Sequence, residues 1–199
     1  MTARWELRLL ICSSQTGAPL RPWLVLTWFG FTGKPAQPML LLVGCVDIQI
    51  RHLFVSPGHN YFGHHQKPPG EHAIIEVKEI QCVAGKGIAG DRFFGYKKDY
   101  KGQITFFEEE TYEDLCGQFG VWDRGPEVLR RNVITRGARL PELIGVEFEL
   151  QGVRFFGKEE CRPCYWMDLA FASGAENAMK GRGGLRAEIR TDGFLRRSR

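Results

Sequence analysis

Glu160-Cys161-Arg162-Pro163-Cys164 is the segment whose residue types and spacing most directly imply chemistry. A C-x-x-C pair serves as half of a zinc site, as a redox dithiol, or as a mount for one activated thiolate. A zinc site needs further ligands, and no second C-x-x-C or adjacent His pair supplies them. A thioredoxin-type dithiol opens a helix after a strand in a βαβ unit, a context the sequence around Cys161 lacks. The reading that remains is a thiolate following a hairpin strand, with the Arg162 charge favouring its ionised form. Such a sulfur is a soft ligand for a transition metal, or a carrier of sulfur.

Arginine is the second recurring chemistry. Asp91-Arg92 follows a glycine-dense stretch, Arg130-Arg131-Asn132 precedes a strand, and Arg182, Arg186 and Arg190 surround the last one. Guanidinium forks bind oxyanions in pairs of hydrogen bonds and stay charged at any relevant pH, so these clusters point to a small anionic ligand. Gly85-Lys86-Gly87-Ile88-Ala89-Gly90 matches the dinucleotide fingerprint G-x-G-x-x-G. That motif must run into a helix, whereas Asp91-Arg92-Phe93-Phe94-Gly95 has no helical periodicity. A tight loop aiming Asp91 and Arg92 is expected instead. His59, His64 and His65 lie in one loop with no acid or Cys at ligand spacing, which favours a substrate-facing loop over a zinc site.

The chain has 199 residues, 43% of them hydrophobic, 12% aromatic and 25% charged. So apolar a chain folds, which excludes general disorder. Its net charge of +4 sits at the two ends, leaving residues 39–195 at −2, so a nucleic-acid surface is not expected. Of the six cysteines four are scattered singly, which suits buried thiols in a reducing, cytoplasmic compartment. The apolar run Trp23–Phe31 is too short to span a membrane, which takes roughly 20 residues. Leu42-Val43-Gly44-Cys45 is similar to a lipidation site, but Pro38 breaks the apolar stretch before it. Residues 1–45 are therefore expected to be an extension outside the fold, with one domain over 46–199.

The elements that must carry these residues are mostly strands. Val46–Val55, Ile75–Cys82 (with a bulge at its change of phase), Gln103–Phe107, Asn132–Thr135 and Leu185–Thr191 read as strands. Val146–Leu150 and Val153–Phe155 form a hairpin closed by Gln151-Gly152. Residues 108–119 predict a helix ended by Gly120, and Pro126–Arg130 and Ala175–Lys180 predict short ones. Many short strands with few short helices predict a mostly β (α+β) fold, a closed or nearly closed β-barrel with helical insertions.

Gly90-Asp91-Arg92, Arg130-Arg131-Asn132-Val133-Ile134-Thr135, the Gly145–Phe156 hairpin and Cys161-Arg162-Pro163-Cys164 occur in an order that resembles the MOSC domain. That domain ends the molybdenum cofactor sulfurases and also forms small stand-alone proteins. Ser56–His65 and Gly181–Ala187 are similar to stand-alone bacterial members, so the resemblance covers about 47–193. It implies a β-barrel that handles the molybdenum cofactor (molybdopterin). Cys164 matches the family cysteine that ligates molybdenum or carries sulfur, with Cys161 beside it. Arg130 and Asn132 match the element facing the pterin and its phosphate, and Asp91, Arg92, Arg131, Arg162, Arg182 and Arg186 are further cofactor-binding candidates. The implied activity is a cofactor-dependent reduction of an N-hydroxylated small molecule, or sulfur transfer. Transfer would need a cysteine desulfurase partner, which alone would hold pyridoxal phosphate, or a molybdoenzyme partner. The alternative is a non-catalytic cofactor- or partner-binding module with a structural C-x-x-C. The family usually closes on a further turn and strand that Phe194–Arg199 does not match, so a last strand is expected to be missing or replaced.

Overall fold

The structure, a computed structural model, describes residues 7–10, 23–26, 39–41 and 48–198. Most of the expected 1–45 extension, including Cys45, lies outside the described residues. Within it, β1 (Leu7–Leu10), β2 (Trp23–Leu26) and β3 (Met39–Leu41) are short strands. The remaining strands are β4 (Gln49–Val55), β5 (Ile75–Glu76), β6 (Glu79–Val83), β7 (Gly87–Ile88) and β8 (Ile104–Glu108), then β9 (Val133–Arg136). After them come β10 (Glu147–Leu150), β11 (Val153–Glu160), β12 (Leu185–Ile189) and β13 (Gly193–Arg196). Helices α1 (Glu109–Phe119), α2 (Trp166–Ala170) and α3 (Ala175–Ala178) and two single 3-10 turns complete the chain.

A large sheet runs β3-β2-β1-β10-β11-β12-β8-β9-β4-β5, and a small one runs β13-β6-β7. This is a mostly β, α+β molecule, as the strand pattern predicts. Both strand orders have ends, so no closed barrel forms among the described residues. The small sheet packs over the large one instead. Its β13 end bonds to β4 through Ser198 N–H to the Ile50 carbonyl at 2.8 Å, and Arg197 N–H reaches the Lys78 carbonyl at 3.2 Å.

The expected bulge between Ile75 and Cys82 is also corrected. Ile75–Glu76 pairs with β4, while Glu79–Val83 pairs with β13, so the change of phase marks a crossing between sheets. A period-2 pattern slips whenever the buried face changes identity, and a bulge is only one way to do that. The last strand is present. Gly193–Arg196 pairs antiparallel with β6, and Leu195 is fully buried.

Alternation divides the apolar residues between two cores. Phe106, Val133 and Leu53 face the interior between the sheets, with Phe148, Phe155 and Leu195. Their neighbours Phe107, Ile134 and Phe54 face the other side, against Leu115 of α1, Met167 of α2 and Phe171. Strands buried on both faces read as nearly continuous apolar runs, which is why Ile104–Phe107 is buried throughout and Thr105, its one polar residue, bonds internally to Asn132. The helix over 108–119 forms as expected, stopped by Gly120 at φ 66°. Because β8 and β9 are parallel with α1 between them, the chain does contain a βαβ unit, but its helix carries no cysteine pair.

The β10–β11 turn holds Gln151 at φ 51° and Gly152 at φ 81°, the left-handed pair that a two-residue hairpin loop demands. No helix among the described residues is long and apolar enough to cross a membrane.

Candidate functional site

Register decides which side chains meet. Arg186 lies opposite Thr105 across β12 and β8, and Asn132 N–H bonds the Thr105 carbonyl at 3.1 Å. The loop after β4, the loop after β7, the turn before β9 and the segment after β11 all open at this end of the large sheet. Together they enclose a cavity of about 390 Å³. Its walls include His59, Tyr61, Phe62 and His65 from the first loop and Arg92, Phe93 and Tyr100 from the second. Arg130 and Arg131 come from the turn, Cys161, Arg162, Cys164, Tyr165 and Trp166 from the segment after β11, and Arg186 from β12.

Asp91 lies behind the wall rather than on it. Its buried carboxylate accepts from Ser56 N–H (3.2 Å), Phe93 N–H (3.1 Å), Asn132 Nδ2 (3.2 Å) and Arg92 Nη1 (3.2 Å). Asn132 is likewise internal: its Oδ1 accepts from Thr105 N–H and Oγ1 at 3.1 and 2.8 Å. These two residues fix the loops, and Arg92 and Arg130 then face the cavity. The glycine-dense stretch forms turns on either side of the two-residue β7, not a helix, with Gly85, Gly87 and Gly90 all at positive φ, and it delivers Asp91 and Arg92 as expected.

Arg130 is the outstanding electrostatic feature. It occupies the left-handed region at φ 52° and is only 9% exposed. Its Nη2 donates to Ser56 Oγ (3.1 Å) and the Gly58 carbonyl (2.9 Å), and its guanidinium stands 5.7 Å from the Tyr61 ring centre. Nη1 is buried and has no hydrogen-bond partner. Burial, with the neighbouring Arg92 charge, pushes its pKa down to about 10. Burial also lowers Arg92, against the pull of Asp91. A buried donor and two crowded guanidiniums are what an oxyanion would relieve. His59 is held below its ordinary value by burial and then by Arg92 and Arg130.

The two thiols of the C-x-x-C differ. Cys161 is 4% exposed and Cys164 is exposed. Burial alone would lower the Arg186 guanidinium, but the neighbouring Cys161, Tyr100 and Glu159 raise it overall. The scattered cysteines behave as buried thiols: Cys82 is pushed up to about 12 by burial, and Cys116 is also raised by burial. Cys12 and Cys45 lie outside the described residues.

Besides Asp91 and Asn132, two more expected site residues are not on the wall of this cavity. Arg182 donates to Asp114 and to the Ala178 carbonyl (2.8 Å), and it lines a separate cavity of about 70 Å³. His64 Nδ1 sits 2.9 Å from the Pro68 carbonyl. The three loop histidines do not converge: His65 Nδ1 is 3.2 Å from the Tyr165 hydroxyl, and His59 packs edge-on to Phe93 at 4.7 Å. Among the described residues no group of three His, Cys, Asp or Glu side chains could hold a metal, so a three-histidine zinc site is not formed.

The aromatic walls were not legible as site residues. Tyr61 and Tyr165 both lie against Trp166, at 4.7 and 4.8 Å, and Phe93 packs on Tyr100 at 5.1 Å. For Tyr61, Phe93 and Tyr100 the signal is aromatic residues inside glycine-rich loops, where no core-forming periodicity accounts for them; for Tyr165 and Trp166 it is their place directly after Cys164.

Several solved structures resemble this chain. The YuaD protein of Bacillus subtilis is 19% identical with a TM-score of 0.57, over 75% of this chain and 91% of that one. YiiM of Geobacillus stearothermophilus is 11% identical with a TM-score of 0.54, over 75% and 71%. YiiM of Escherichia coli is 16% identical with a TM-score of 0.50, over 72% and 65%. The chain shares their fold. At these identities the likeness concerns architecture alone. No family model matches the sequence, and no curated protein matches it.

Proposed function

We propose that this chain is a MOSC-type protein whose cavity binds the molybdenum cofactor. The observation that carries the reading is the buried, unpartnered Nη1 of Arg130 on a wall shared with Cys164. The residues present fit such a group. Arg130, Arg92 and Arg186 would hold its anionic part, the rings of Tyr61, Phe93 and Trp166 would flank a planar part, and Cys164 is the accessible soft ligand. Bound there, the cofactor would supply a molybdenum centre able to accept oxygen from an N-hydroxylated small molecule.

The chain's own residues would do the rest. Aromatic walls give the cavity an apolar lining. Tyr100, whose pKa burial raises, stays protonated and able to donate a hydrogen bond. Asp91 and Asn132 hold the arginines in place from behind. The activity would be that of a molybdenum-cofactor-dependent oxidoreductase.

The test is purification from hosts with and without molybdopterin synthesis, measuring molybdenum, bound pterin and reduction of an N-hydroxylated base. Wild type retains pterin and metal, Arg130→Met loses the pterin, and Cys164→Ser keeps pterin but loses activity. Undiminished pterin in Arg130→Met would overturn the reading.

The exposure of Cys164 favours a second reading, sulfur carriage, with a desulfurase or molybdoenzyme as partner. Molybdenum-free wild type with a gain of about 32 Da, one sulfur on the thiol, lost in Cys164→Ala, would favour it.

A further inference from the structure

Adjacent in sequence, Arg130 and Arg131 have different partners. Arg130 bonds protein acceptors through Nη2 alone and leaves its buried Nη1 without a partner. All three guanidinium nitrogens of Arg131 donate to backbone carbonyls. Nε and Nη2 reach Gly183 at 3.2 and 3.0 Å, Nη2 also reaches Cys161 at 3.1 Å, and Nη1 reaches Leu129 at 2.8 Å. One side chain thus ties together the turn before β9, the Gly183-Gly184 turn before β12, and the segment that follows β11.

The fit between those segments is close. Cys161 N–H bonds the Gly184 carbonyl at 2.7 Å, and Gly183 N–H bonds Glu160 Oε1 at 3.1 Å. A Cβ on Gly183 would stand 2.5 Å from the Cys161 carbonyl oxygen. Beyond Cys161 the chain leaves its ladder. Arg162 N–H turns back to the Glu160 carbonyl at 3.0 Å, and the Cys164 carbonyl accepts from Met167 N–H at 2.8 Å, both local bonds. The Cys161 carbonyl, held by Arg131, is therefore the last point at which the backbone of the thiol arm is bonded to a distant segment.

We propose that Arg131 is the positioning residue of the thiol arm Cys161–Cys164, and that it does not contact the cavity's ligand. A planar fork reaches three carbonyls on three segments, whereas a lysine ammonium reaches one point, so Arg131→Lys is not conservative here. The inference concerns the same cavity as the proposed function and rests on its thiols mattering there. Its test does not require the cofactor.

The experiment follows alkylation of individual thiols by iodoacetamide, resolved by peptide mass. Cys82 and Cys116, each buried in a different core, serve as internal clocks. In wild type Cys164 reacts first and Cys161 is protected. In Arg131→Lys, Cys161 reacts about tenfold faster or more while Cys82 and Cys116 keep their wild-type rates, because loss of charge-assisted bonds lowers only the local opening free energy. Gly183→Ala, which leaves Arg131 in place but pushes on the Cys161 carbonyl, gives the same pattern. If all three buried thiols accelerate together, or Cys161 does not accelerate, the proposal fails.

A second measurement uses wild type alone. With arginine Nε–H resonances resolved, Arg131 exchanges slowly with solvent and barely shifts on adding inorganic sulfate, whereas Arg130 shifts. A sulfate response at Arg131 overturns the proposal. Absence of any sulfate binding counts against the anion-binding reading and leaves Arg131 to be decided by the alkylation rates.

Discussion

At the scale of single residues, the site is built by unequal treatment of like groups. Cys161 and Cys164 are three positions apart, yet one is sealed and the other open. Arg92 and Arg130 crowd each other, and the second has a donor with nothing to bond. Asp91 shows what such an arrangement requires behind it, four donors on one buried carboxylate. Asp91→Asn turns an amide N–H₂ toward donors, so urea unfolding should show a loss of about 2–3 kcal/mol. His59 allows a pH test. Its folded pKa is depressed, so the unfolded chain binds the extra proton and stability falls as pH drops through 6.5. An anion at Arg92 and Arg130 offsets their repulsion of the imidazolium, so binding takes up a proton. Sulfate affinity, free of any titration of the ligand, should rise as pH falls through that range. A flat profile would place the anion elsewhere.

At the scale of elements, the hairpin shows a local rule serving a distant strand. Asn or Gly usually fills the first left-handed position of such a turn, but here it is Gln151. Its side chain accounts for the choice. Nε2 donates to the Arg196 carbonyl at 2.8 Å and Oε1 accepts from Arg196 N–H at 2.7 Å, so the turn residue completes the outer edge of β13. Gln151→Ala removes both bonds and should cost about 1–2 kcal/mol, with faster amide exchange confined to 193–198. Gly157 makes a similar point inside β11: a Cβ there would come within 2.0 Å of the Leu143 carbonyl, across the bridge to Ile144. Gly157→Ala should lower the denaturant midpoint by the equivalent of about 3 kcal/mol.

At the scale of the whole molecule, the small sheet lids the interior core, and β13 is the piece that holds it there. Leu195 is fully buried with Phe148, Phe155 and Val153, although it lies in the stretch expected to lack a strand. Leu195→Ala should lose about 2–5 kcal/mol, and alkylation of Cys82, in the same core, should accelerate with it. An unchanged unfolding midpoint would mean that the small sheet does not contribute to the core. The site depends on this packing at one remove, because the loop carrying Arg92 and Tyr100 leaves from β7 of the same small sheet.

Local chemistry made a large part of this protein legible from its sequence. Period-2 and period-3.6 patterns, glycine stops and the Gln151-Gly152 turn depend on neighbouring residues, so β4, β8, β9 and β12, α1 and the β10–β11 hairpin could be read directly. The same locality marked Cys161, Cys164, Arg92, Arg130 and Arg186 as candidates, and these do line one cavity. Whatever depends on sequence-distant partners could not be read. The crossing at Lys78, the open strand orders, the aromatic walls, and Arg182 held at Asp114 all follow from contacts between distant segments. So does the contrast between Arg130 and Arg131. Side-chain type fixes what a guanidinium is able to bind, but only the packing of three separate segments decides that one is filled with carbonyls and the other left an acceptor short.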